Sequence, residues 1–388
     1  MTNKGHSFPY EFFEQFAKVM GQSAALQTEW WKQTGLALEN HKQYQEFMDE
    51  SQSRLHDFLE GVKLYRQTDF KREIKEPPVI WALGGAKLLD YSQTKDPDAP
   101  ILFVVPSLIN KAYVLDLTEE TSFLRHMAQS GIRPFLLDWG DLTDAERGFS
   151  TQDYLNSYLL PAMDHTIAYT GKPLSLMGYC MGGMLAMAAT LFRPQTEKLI
   201  LLAAPWDFHA GQEWLIPWLH ASSLYLENMI DQSAELPVEI IQYMFAILNP
   251  LGVIRKFREL PQFAGNMEKM QEFASVEDWL NDCVPLAPKV AKELLFDWYR
   301  DNLPIKGQWL MNATVMDPIN IKQPTLLVIP QNDKIVSPES AVLLTKSLPV
   351  HTTIQPDTGH IGAIIGKKSN SQVLQPIISF IKGKKEDK

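Results

Sequence analysis

The stretch Leu176-Met177-Gly178-Tyr179-Cys180-Met181-Gly182-Gly183 decides how the rest of the sequence is read. Upstream, KPLSL alternates apolar and polar residues behind Pro173, as a strand does. Downstream, MLAMAATLF is an apolar run of small residues and good helix formers. Strand, sharp turn and helix form the setting of a nucleophile elbow, G-x-S-x-G. Here the pattern is G-Y-C-M-G, with sulfur in place of oxygen. Gly178 and Gly182 have no Cβ, so strand and helix can approach around a strained turn. A cysteine at that turn projects at the amino end of a helix, a position that favours the thiolate and offers backbone N–H groups to an oxyanion. A lone G-x-C-x-G also fits a buried thiol in a glycine-rich packing turn. The surrounding sequence has to choose.

Working outward, short apolar runs alternate with helical segments. ILFVVPS (101–107), PFLLDWG (134–140), KLILLAAP (198–205), TLLVIPQND (325–333) and HTTIQPDTGH (351–360) read as strands or strand ends. Residues 117–130 and 153–170 read as helices between them. This alternation predicts right-handed crossovers and an α/β architecture with a mainly parallel sheet. Unbroken apolar strands fit a sheet covered on both faces. From Ala210 to about Asn312 the strand rhythm stops, and aromatic helical segments such as EWLIPWLHASSLYLENMI and LLFDWYRDN take over. They predict about four helices inserted as a cap. Residues 8 to about 75 read as amphipathic helices, for example EFFEQFAKVM and QEFMDESQSRLHDFLEGV. The expected divisions are an N-terminal helical region over 1–77, a core over 78–209 and 313–388, and a cap over 210–312. The tail GKKEDK is expected to fray.

Bulk properties narrow the function classes. Of the 388 residues, 45% are hydrophobic and 21% charged, as in a globular enzyme, and the net charge of −10 argues against nucleic acid as a partner. Two cysteines, Cys180 and Cys283, are too few for a disulfide framework or a Cys-rich metal site. No signal-peptide core and no apolar run of about 18 residues is evident, so no transmembrane helix is expected.

A thiol nucleophile needs a base, and the base needs an orienting acid. In this layout the chain order is nucleophile, acid, base. Asp333 closes the strand in LLVIPQNDKIV, and His360 lies in PDTGHIGAIIG after the last strand. Cys180, Asp333 and His360 therefore fall in order, each at a strand end. Asp207 in PWDF, Asp357 and Asp301 compete for the acid role. His126, His165, His209 and His220 lack a strand-end setting, and Cys283 reads as an ordinary core thiol. One oxyanion donor is the amide of Met181; the second is expected from PSLIN, at Leu108 or Ile109.

These residues sit in a series of blocks that resembles the polyhydroxyalkanoate synthases. The blocks are VVPSLINKAYVLDL (104–117), FLLDWG (135–140), GYCMGGMLA (178–186), AAPWDF (203–208), WYRDNLPIKG (298–307), NDKIVSP (332–338) and TGHIGAIIG (358–366). The resemblance implies an α/β-hydrolase fold with a mainly parallel central sheet, an inserted helical cap and N-terminal helices. By matching, it makes Cys180 the nucleophile, Asp333 the acid and His360 the base. It implies an acyltransferase that polymerises 3-hydroxyacyl-CoA, such as 3-hydroxybutyryl-CoA, through a Cys180 thioester. A Cys-dependent hydrolase, either an intracellular depolymerase or an acyl-CoA thioesterase, is the alternative. No cofactor or metal is implied, since the CoA thioester is itself the substrate. Lys111, Arg125, Arg133 and Lys367 are candidate cations for the CoA phosphates. The partners implied are acyl-CoA, the growing polyester, a homodimer mate, and a second synthase subunit or granule proteins. The place implied is the cytoplasmic surface of polymer granules. Thr358 stands where the family often has glycine.

Overall fold

Five consecutive apolar residues bury no polar side chain, so such a strand is stable only with cover on both faces. In the computed structural model, which describes residues 41–94, 96–212, 215–248 and 250–383, this is the environment of the central strands. Strands β1 (Val79–Leu83), β2 (Ala86–Asp90), β3 (Ile101–Val105), β4 (Arg133–Asp138), β5 (Ser175–Tyr179) and β6 (Leu199–Leu202) form one sheet with β9 (Thr325–Val328) and β10 (His351–Ile354). Between β6 and β9 a small hairpin joins β7 (Leu310–Met311) to β8 (Thr314–Val315). The order across the eight-stranded sheet is β1-β2-β4-β3-β5-β6-β9-β10. Every residue of β3, β5, β6 and β9 is buried. From β4 through β10 the pairing is parallel, while β1–β2 and β2–β4 are antiparallel. The mainly parallel sheet expected from the sequence is present. Its antiparallel edge is an addition, made by a hairpin whose two-residue turn is Gly84-Gly85.

Two expected helices differ in their limits. In place of a helix over 117–130, a short 3₁₀ turn spans Ala112–Asp116 and a helix spans Phe123–Gln129. The Ser122 hydroxyl caps the latter by accepting the Arg125 amide, which fixes the later start. The second run begins at Thr151 behind a Ser150/Asp153 capping box and continues to Thr170 through a π-turn at Leu155–Leu159.

The chain divides into two compact units. The larger comprises Glu73–Val238 and Asp282–Lys388 and holds the sheet. It also contains the helix Leu215–Ser233 and the π-helical segment Glu293–Arg300, both inside the span expected as a cap. In the smaller unit, the helix His41–Gln67 belongs with Glu239–Asn281. Its core is Phe58, Tyr65, Phe257, Leu260, Met270 and Ala274, with the Phe58 and Phe257 rings edge to face at 6.0 Å. Tyr65 Oη donates to Asp278 Oδ1 at 2.6 Å, so the one polar tip in that core is satisfied. The compact units thus cut through the 210–312 span. The segment EFFEQFAKVM and most of the charged tail lie outside the described residues. Among the described residues, no single helix is long and apolar enough to cross a membrane.

Candidate active site

β5 delivers its last residue, Tyr179, to a turn at Cys180, and the helix Met181–Phe192 starts at once. Cys180 takes φ 56° and ψ −128°, a backbone region sparsely populated by residues with a side chain. The turn is held by the Cys180 amide donating to Leu202 O at 3.0 Å and the Gly183 amide donating to Cys180 O at 2.9 Å. Its tightness explains both glycines of the motif. A Cβ on Gly178 would lie 2.5 Å from Gly183 Cα, and one on Gly182 would lie 2.2 Å from Val105 O. The packing turn and the elbow are therefore the same object, and it leaves Cys180 partly exposed beside the amino end of the helix.

The residues read as acid and base lie beyond the ends of two adjacent parallel strands. Beyond β9, Asp333 is buried, and Oδ1 accepts the amides of Ile335 at 2.8 Å and Val336 at 2.9 Å. Beyond β10, His360 is 8% exposed and donates from Nδ1 to Asp333 Oδ2 at 2.7 Å. With Nδ1 committed to the carboxylate, Nε2 is the nitrogen left for chemistry. Cys180 acts on the same ring through its charge and a side-chain hydrogen bond. Burial pushes the His360 pKa down, but the Asp333 charge, the Cys180 charge and their hydrogen bonds outweigh it and raise it to about 10. The ring is also braced by Tyr179, whose own ring lies 5.1 Å away and whose hydroxyl donates to His360 O at 3.3 Å. The three residues picked from the sequence are thus brought together.

A strand, a tight turn carrying a nucleophile at positive φ, a helix, and an acid and a base at later strand ends form the signature of one fold family, and a profile of the alpha/beta hydrolase fold matches residues 167–366. The chain belongs to the alpha/beta hydrolase fold family. Among curated proteins, this alpha/beta hydrolase is similar to the poly(3-hydroxyalkanoate) polymerase subunit PhaC of Synechocystis sp., at 28% identity over 80% of this chain and 85% of that protein. PhaC of Haloferax mediterranei is 27% identical over 78% of this chain and 62% of its own length. PhaC of Allochromatium vinosum is 24% identical over 75% and 84%. A solved thermophilic esterase from Thermogutta terrifontis superposes with a TM-score of 0.48 at 15% identity, covering 80% of this chain and 98% of its own. The polyhydroxyalkanoate synthase resemblance seen in separate blocks therefore extends along most of the chain.

The remaining candidates of the alpha/beta hydrolase site sort by their partners. Asp207 Oδ1 accepts Asn302 Nδ2 at 2.7 Å and the His209 amide at 3.0 Å, and Asp301 pairs with Arg300. Asp357 bonds Asn332 and Lys368. None of the three is bonded to His360, where Asp333 holds Nδ1. Of the two oxyanion donors left open, the Ile109 amide donates to Ser107 Oγ at 3.2 Å, and Leu108 is buried beside it. Lys111 pairs with Asp141 and Asp282, and Arg125 holds the fully buried Asp116. Arg133 Nε donates weakly to Ser92 Oγ at 3.4 Å, and Lys367 is exposed. Cys283 is partly exposed and accepts Asn110 Nδ2 at 3.1 Å, so it is not an ordinary core thiol. His209 bonds Arg300 O through Nε2, and His165 stacks on Tyr169. Among the described residues, no three His, Cys, Asp or Glu side chains gather as a metal-binding group.

Tyr299 went unnoticed in the sequence. It lies on the π-helical segment Glu293–Arg300, edge to face with Phe208 at 4.9 Å. Burial first, and then the charges of Cys180 and Asp333, push its pKa up. Two residues beyond this segment stands Asn302, buried at φ 52°, whose Oδ1 accepts the Phe208 amide at 3.1 Å while Nδ2 reaches Asp207. This bracket ties the loop after β6 to the segment carrying Tyr299. Its only sequence signal was the pair of blocks AAPWDF and WYRDN, which gave no hint that they touch.

Proposed function

We propose that the protein is a polyester synthase, an acyltransferase that polymerises 3-hydroxyacyl-CoA with 3-hydroxybutyryl-CoA as the representative substrate. One observation carries this reading: a thiol, in place of a hydroxyl, stands at the elbow beside a buried His360–Asp333 pair. The likeness to PhaC subunits supports it. An acyl-CoA is a thioester, so transfer to Cys180 exchanges one thioester for another and keeps the acyl group activated. His360 keeps the proton that leaves Cys180 Sγ. The thiolate adds to the acyl carbonyl, and the oxyanion is met by the amides of Met181 and Leu108. Collapse expels the CoA thiolate, which takes the proton from His360 and departs as free CoA. The 3-hydroxyl of an incoming 3-hydroxyacyl-CoA then gives its proton to His360 and attacks the Cys180 thioester. An ester forms, Cys180 leaves as the thiolate and the proton returns through His360. The lengthened chain, now a CoA thioester, acylates Cys180 again. The setting proposed is the cytoplasmic surface of a polymer granule.

The purified chain, incubated with 3-hydroxybutyryl-CoA, is expected to release CoA while turbidity grows. Cys180→Ala and His360→Ala should each lose roughly a thousandfold or more in turnover. Release of CoA and free acid without turbidity would assign the same three residues to a hydrolase. No release, alone or with lysate from a polymer-storing cell to supply a second subunit, would refute the acyl-transfer reading.

A further inference from the structure

Asp357, bonded outside the triad, nevertheless sits on the loop of the base. Its Oδ1 accepts Asn332 Nδ2 at 2.7 Å, and Asn332 immediately precedes Asp333. Lys368 Nζ donates to the other carboxylate oxygen, and the Asp357 amide donates to Gln372 Oε1 at 2.8 Å. Beneath these contacts the two loops share backbone bonds, Gln331 N to Pro356 O at 2.9 Å and Asn332 N to Thr358 O at 3.0 Å. The acid loop and the base loop are therefore stitched together on the outside by Asn332 and Asp357, and on the inside by Asp333 and His360. Asp333 has no freedom to compensate for slippage, because its second oxygen is committed to the amides of Ile335 and Val336. Any shift of its loop carries the carboxylate away from the ring.

The outer stitch contributes little to holding the fold. The side chains of Asp357 and Lys368 are each 55% exposed, and exposed pairs stabilise weakly. Catalytic geometry is far more sensitive to displacement than stability is. We propose that Asp357 is a positioning residue: gripped by Asn332 and Lys368, it fixes the register in which Asp333 meets His360 at 2.7 Å. The proposal rests on the acyl-transfer reading for its substrate, but the device acts on the Cys180–His360–Asp333 unit itself.

The test uses the full chain and two readouts. One is steady-state CoA release from 3-hydroxybutyryl-CoA. The other is the rate at which iodoacetamide alkylates Cys180 at pH 7, followed by peptide mass so that Cys283 is counted separately. Asp357→Ala is expected to lower kcat about tenfold with KM within about twofold, and to slow Cys180 alkylation about fivefold, while Tm stays within about 2 °C. Asn332→Ala should match it, and the double variant should be no worse than either single one. The exchange Asn332→Asp with Asp357→Asn rebuilds the donor–acceptor pair in reverse and should recover most of both rates. Unchanged alkylation in Asp357→Ala, or a loss that the exchange fails to recover, overturns the proposal. If the wild-type chain releases no CoA, the substrate reading has failed, and the alkylation series still decides the role of Asp357.

Discussion

Replacing Asp333 by asparagine keeps the side chain's shape and removes its charge. The carboxylate accepts three hydrogen bonds: Ile335 N and Val336 N on Oδ1, and His360 Nδ1 on Oδ2. An asparagine has one acceptor oxygen for these three donors. If the oxygen stays with the two amides, its NH₂ faces the ring and forces the opposite tautomer, which puts the proton on Nε2 and removes the base. The electrostatic loss can be sized. Despite burial, the charges and bonds of Asp333 and Cys180 lift the His360 pKa from 6.5 to about 10, which is worth about 5 kcal/mol. The Asp333 charge is the largest raising contribution, so losing it removes the main support of the imidazolium. Together with the tautomer change, this should cost about a thousandfold to ten-thousandfold in kcat. CoA release by Asp333→Asn under saturating 3-hydroxybutyryl-CoA measures this directly, with a thermal melt to show that the fold is intact. A folded variant that keeps more than about a tenth of wild-type kcat would refute the reasoning.

The same lift on His360 has a stability signature. Its contribution is fully present below pH 6.5 and is lost as pH rises through about 10. The melting temperature of the wild type should therefore fall over that window more than that of Asp333→Asn; parallel curves would contradict it. Glu146 is fully buried and accepts from Gly85 N, Thr143 N, the Thr143 hydroxyl and the Tyr158 hydroxyl. Burial pushes its pKa up, but these donors bring it down to about 2 from 4.5. The stability it supplies is present above pH 4.5 and disappears as pH falls through about 2. Glu146→Gln, which sets an NH₂ against donors, should cost about 2 kcal/mol or more in a urea titration, and an unchanged midpoint would reject that account. Gly182→Ala places a methyl 2.2 Å from Val105 O, so a loss of about 3 kcal/mol or more is expected in the same titration.

What was legible in the sequence followed from period and order. β3, β6 and β9 announced themselves as apolar runs because both of their faces are covered, and the triad could be ordered because each member follows a strand. The β1–β2 hairpin passed unread although Gly84-Gly85 between two apolar runs is a turn signal. The helix expected from residue 117 starts later because Asp116 and Ser122 are bonded to each other, with Arg125 Nε 2.7 Å from Asp116 Oδ1; this is a tertiary network that no periodicity encodes. The pairing of the His41–Gln67 helix with the helices of Glu239–Asn281 was equally out of reach, since a helical pattern in either segment names no partner. Asn302 at φ 52° and its grip on Asp207 belong to the same class. Residues far apart in sequence met there, and nothing local foretold it.

β6 pairs with β9 although everything from Ala203 to Pro324 lies between them. Closing so long a loop is slow, and the strands that bring Asp333 and His360 can dock only late. During synthesis, then, Cys180 leaves the ribosome well before His360 exists. Until then the Cys180 thiol stands without the His360–Asp333 pair that the folded chain sets beside it. On the reading proposed above, a product truncated before His360 has the thiol and lacks the base, and is silent rather than wasteful.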